Sequence, residues 1–100
     1  MHHDELPELV QRFFVHYLVR QRNLSPHTRN GYRDTFRLFL SFLSQRQHQP
    51  IDQLALERVN PEAVLAFLDY LETTRGNTAR TRNLRLAAIR TFVRFVLGEE

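Results

Sequence analysis

Residues 73–98 read TTRGNTARTRNLRLAAIRTFVRFVLG, and the reading of this stretch decides the fold. It carries six arginines (Arg75, Arg80, Arg82, Arg85, Arg90, Arg94) and no acid, while the other eight arginines of the chain stand against eleven acids. The net charge of +3 therefore originates here. The same stretch holds the most apolar helical pattern of the chain, from Leu84 through Ile89, Phe92, Phe95 and Val96 to Leu97. Polar residues crowd its first two turns, Thr78 to Arg85, and apolar residues fill the remainder around Arg90, Thr91 and Arg94. Such a helix is expected to be buried at its C-terminal end and to project at its N-terminal end. It would offer Arg80, Arg82, Asn83 and Arg85 to a partner while Ala87 to Leu97 fill the core. Arg90 and Arg94, four apart and late in the helix, suit the negative end of the helix dipole and are expected to pair with acids of the first or third helix. Arg75 carries no assignment.

The rest of the chain can be read outward from this helix. One hundred residues, 42% of them apolar and eight of them Phe, fit one domain with a packed core. The absence of cysteine excludes disulfides and thiolate metal sites. No run approaches the roughly 18 apolar residues of a membrane span, and the N-terminus lacks the regions of a signal peptide, so a cytoplasmic location is expected. All fourteen basic residues are arginine. A guanidinium grips phosphates and guanine edges bidentately, and a pI of about 10.2 with local arginine clustering is the footprint expected of a nucleic-acid partner.

Apolar residues at Leu6, Val10, Phe13, Phe14, Tyr17 and Leu18 predict a first helix over residues 6–22, with Val15 and Val19 left to face a neighbour. Ser25-Pro26 supplies an N-cap and a first-turn proline for a second helix over 26–46, whose core stripe is Tyr32, Phe36, Phe39, Leu40 and Leu43. Arg29, Arg33 and Arg37 form a row beside that stripe. Residues 45–60 form a connector pinned by Ile51, Leu54, Leu56 and Val59, with room for one helical turn after Asp52. Asn60-Pro61 repeats the cap grammar and starts a third helix over 61–74 with Val64, Phe67, Leu68 and Leu71 inward. Gly76 suits the left-handed position that ends this helix, and Asn77 or Thr78 caps the fourth, which runs to about Leu97. No strand signal interrupts the pattern. The fold class expected is all-α, four helices with short connectors.

Two of these helices carry charge at the wrong end. A helix start is partly positive, so cations there are disfavoured by about 0.3–1 kcal/mol each. Helices one and three begin with acids; helices two and four begin with His27-Thr28-Arg29 and Ala79-Arg80-Thr81-Arg82. Both violations make sense if an anion docks at the two helix starts, where free N–H groups, Ser25, Thr28, Asn77, Thr78 and the arginines supply donors. About half or more of the hydrogen bonds in protein–DNA interfaces go to phosphate and sugar through such groups. The acids from Asp52 to Glu72 should face away from a polyanion.

Leu24-Ser25-Pro26-His27-Thr28 followed by Tyr32, Phe36, Phe39, Phe42 and Leu43 resembles the second helix of the N-terminal core-binding domain of phage integrases and related tyrosine recombinases. Thr81 to Phe95 is similar to the fourth helix of the same domain. The resemblance implies a SAM-like bundle of four helices that clamps one side of duplex DNA through helices two and four. A catalytic domain following in the parent chain would clamp the other side, and further recombinase protomers would share the DNA. By motif position Thr28, Arg29 and Arg33 fall on the DNA-facing part of helix two, and Thr78, Arg80, Thr81, Arg82, Asn83 and Arg85 on that of helix four; Ser25, His27 and Asn77 complete the expected DNA-binding set. Catalytic residues, cofactor, metal and small-molecule ligand are not expected in this chain. Its five histidines lack ligand spacing, and Tyr17 and Tyr32 lie on apolar stripes. The rival readings are a basic helical module that binds an acidic protein, and a stand-alone helix-turn-helix regulator. The long second and fourth helices argue against the latter.

Overall fold

The same proline-and-cap grammar divides the folded chain, a computed structural model in which residues 5–20 and 24–98 are described. Helix α1 (Leu6–Arg12) has Pro7 in its first turn and no side-chain cap; the N–H of Leu6 donates instead to the carbonyl of Leu54, 2.8 Å away. Helix α2 (Pro26–Gln47) opens where Ser25 Oγ accepts the Thr28 N–H at 3.1 Å, α3 (Pro61–Thr73) where Asn60 Oδ1 accepts that of Ala63 at 2.9 Å, and α4 (Ala79–Val96) where Thr78 Oγ1 accepts that of Thr81 at 3.2 Å. Gly76 takes the left-handed conformation between α3 and α4 (φ 66°), which spares a side chain the strain of that turn. The class is all-α, with no strand among the described residues. Asn60→Ala is expected to cost about 1 kcal/mol, read as a lower urea midpoint at unchanged m value.

Two stretches depart from the regular helices expected. After Arg12 the first helix continues as a π-helical segment, Phe13–Tyr17, and then a 3-10 turn, Leu18–Arg20. In an α-helix, residues five apart diverge around the axis; the wider π turn brings them together. Phe13 and Leu18, at the two ends of this wider turn, are both buried. The expected end of this helix at Arg22, the joint residue Asn23, and Asp4, Glu99 and Glu100 lie outside the described residues. The connector forms two 3-10 turns, Ile51–Gln53 and Leu56–Arg58, rather than one. Leu54 is its buried anchor, whereas Ile51, expected to be inward, is exposed.

The core is largely aromatic. Phe13, Phe36 and Phe92 meet edge to face, with centroids 5.3–5.9 Å apart, and bring the first helix, α2 and α4 to one point. Phe39 and Phe67 join α2 to α3 at 4.9 Å. Helix α4 is buried through Ala88, Ile89 and Phe92 at its middle, not through its whole C-terminal half: Ala87 and Leu97 face solvent.

Candidate nucleic-acid interface

Helices α2 and α4 pack against each other, and their starts flank a cleft of about 450 Å³. His27, Thr28, Asn30, Gly31, Tyr32, Asp34 and Thr35 of α2 line one side, and Thr81, Leu84 and Arg85 of α4 the other. Neither helix has an acid in its first turn, so the partial positive charge of each start is uncompensated by its own sequence.

Arg85 spans the cleft floor. Its Nε donates to Asn77 Oδ1 at 3.3 Å, and its Nη1 donates to Thr35 Oγ1 at 3.1 Å. The Thr35 hydroxyl in turn donates to the Gly31 carbonyl at 2.8 Å. Thr35 is 2% exposed, the one buried polar side chain among the described residues. Burial lowers the pKa of Arg85, against the opposing pull of Asp34; Arg75 and Arg37 add smaller repulsions. A guanidinium stays protonated throughout the physiological range regardless. Arg85 thus ties the start of α4 to the third turn of α2.

The residues expected to bind are distributed unevenly. His27, Thr28, Thr81 and Arg85 share the cleft. Ser25 and Thr78 are engaged as caps, and the Ser25 and Thr28 hydroxyls also bond each other at 3.0 Å. Arg80 and Asn83 are exposed on the outer side of α4, and Arg80 has no ion pair with a described acid. Arg82 turns to the α3 side, where its guanidinium pairs with Glu72. Asn77 is half-buried and holds Arg85. Arg29 and Arg33 are exposed but lie on another flank of α2, above Phe14, Val15, Leu18 and Val19 of the first helix. Arg37, next in that row, pairs with Asp34 at 3.4 Å.

Thr35, Tyr32 and Asp34 belong to the cleft and were not among the expected site residues. The sequence does carry one sign of Thr35: a threonine directly beside Phe36 on the core edge of α2 needs a polar partner when buried. No cluster of three or more metal-ligating side chains occurs among the described residues, and no helix described is long and apolar enough to cross a membrane.

Residues 11–100 match the profile of the phage integrase N-terminal SAM-like domain, so the chain belongs to that family. Two Sinorhizobium fredii proteins (strain NBRC 101917 / NGR234), the integrase/recombinase candidates y4rC and y4rD, are each 43% identical to it over 97% and 98% of this chain respectively. The tyrosine recombinase XerC of Leptospira interrogans is 25% identical over 97% of the chain. The chain spans 29%, 35% and 29% of the length of these three relatives. No solved structure matches it.

Proposed function

We propose that this chain is the non-catalytic, DNA-gripping domain of a site-specific tyrosine recombinase, and that it holds double-stranded DNA through the starts of α2 and α4. The observation that carries the reading is the pairing of two acid-free helix starts across one cleft, with His27, Thr28 and Thr81 as side-chain donors on its walls. Backbone N–H groups and these side chains supply phosphate contacts from two directions, which fixes orientation on the duplex. Membership in the integrase family and the recombinase names of the relatives support the same reading. In the proposed parent protein a catalytic domain follows this one and carries out strand cleavage and rejoining, with further protomers on the same DNA. Not every acid of α3 stands clear of the proposed DNA-facing end: Glu62 and Asp69 are exposed elsewhere on the helix, while Glu72 pairs with Arg82 near the start of α4.

The test is a titration of duplex DNA at several salt concentrations. Log affinity should fall linearly with log salt, with a slope of about 0.9 for each phosphate neutralised. Absence of binding at low salt would refute the reading.

A further inference from the structure

The expected pairing of Arg90 and Arg94 with acids of the first or third helix does not occur among the described residues. Both arginines are exposed, and no described carboxylate forms an ion pair with either. They stand on the rim of an apolar groove of about 650 Å³ between α3 and α4. Its walls are built by Val64, Leu65 and Leu68 of α3 and by Leu86, Ile89 and Val93 of α4. Two large apolar side chains at this groove are left in water: Leu65 is 67% exposed and Leu97 is 65% exposed.

The two rims have opposite charge. Residues three before and four after Leu65 on a helix share its face, and here they are Glu62 and Asp69, both exposed. Glu62 touches Arg46 at 3.1 Å but keeps its side chain 85% exposed, and Asp69 has no ion pair with a described cation. The opposite rim is Arg90 and Arg94. Helices α3 and α4 are joined by the turn at Gly76 and run antiparallel, so the start of α3, with Glu62, lies beside the end of α4, with Arg94.

A surface with one acidic rim, one basic rim and an apolar floor is complementary to itself. We propose that a second copy of this chain occupies the groove, related by a two-fold axis that runs along it. That axis lays the acidic rim of each copy over the basic rim of the other and seats each Leu65 and Leu97 against the partner's apolar floor. A two-fold axis running across the groove would instead set acid on acid and arginine on arginine, so charge selects the first arrangement. The groove uses a different flank of α4 from the cleft with α2, and the inference stands apart from the DNA reading.

Sedimentation equilibrium without DNA, at protein concentrations up to about 1 mM, provides the test. The unmodified chain should show a concentration-dependent dimer. Arg90→Glu with Arg94→Glu, and separately Glu62→Arg with Asp69→Arg, should each weaken it at least about tenfold. An equimolar mixture of the two variants should restore dimer, because both contacts are then complementary again. Should a reversal variant lose its helical circular dichroism, Arg90→Gln with Arg94→Gln takes its place and must still weaken the dimer. A monomer at every concentration would overturn the proposal and leave the groove to a different protein. Dimers indifferent to the reversals, or a mixture that stays monomeric, would overturn it equally.

Discussion

Phe92→Ala is expected to destabilise the domain by about 3–5 kcal/mol, a large part of the roughly 5–15 kcal/mol that holds such a domain together. Phe92 is fully buried, and its ring contacts Phe13 at 5.6 Å and Phe36 at 5.3 Å. Its removal opens a cavity at the point where three helices meet, and an aromatic cluster in ring-edge contact cannot collapse to fill it. Val19→Ala is the control: an apolar residue too, but 69% exposed and away from the groove between α3 and α4, with an expected change within about 0.5 kcal/mol. Thermal or urea unfolding of both variants decides the matter. Equal losses would show that the core is misassigned.

The second large effect concerns DNA. Arg80→Ala, and separately Arg29→Ala with Arg33→Ala, should each weaken duplex binding and flatten its salt dependence by up to about 0.9 per arginine removed. These three side chains are exposed and form no ion pair with a described acid, so they are available to phosphate. Testing the two sides separately matters because Arg29 and Arg33 lie on a different flank of α2 from the cleft. Arg85→Met should behave differently. Its guanidinium already bonds Asn77 and Thr35, so its loss should lower affinity by loosening the helix starts while leaving the salt slope nearly unchanged. Arg58→Ala, on the connector, should be silent. An Arg58 effect as large as that of Arg80 would refute the choice of face.

What was legible in the sequence was local. Ser25-Pro26, Asn60-Pro61 and Thr78 mark helix starts through bonds that reach only three residues ahead, and Gly76 marks a turn through its own backbone freedom. The helical stripes around Phe36, Phe39, Phe67 and Phe92 were readable because burial follows a fixed period. What was not legible depends on neighbours that the sequence does not name. The π-helical segment is one such case: Phe13 and Leu18 lie on the expected apolar stripe, and the pattern of that stripe does not announce the wider turn between them. Likewise, burial of Thr35 depends on the arrival of Arg85, fifty positions later. Charge alone put Arg29, Arg33, Arg80, Arg82 and Arg85 in one class. Folding assigns them to an outer flank, an open rim, an ion pair and a cross-helix tie.

The pairing of Arg82 with Glu72 has a consequence for ion bookkeeping. An arginine in solution gives up a loosely held anion when it meets a phosphate, and DNA gives up condensed cations. Arg82 instead carries its anion covalently, as a side chain of the preceding helix. Should a phosphate take Arg82, the displaced carboxylate stays attached to the protein and must find a cation from solution, offsetting part of the ion release from the DNA. Under the proposed DNA reading, the chain would then behave as though it held fewer arginines than it does, and Glu72 would set how gently duplex binding declines as salt rises.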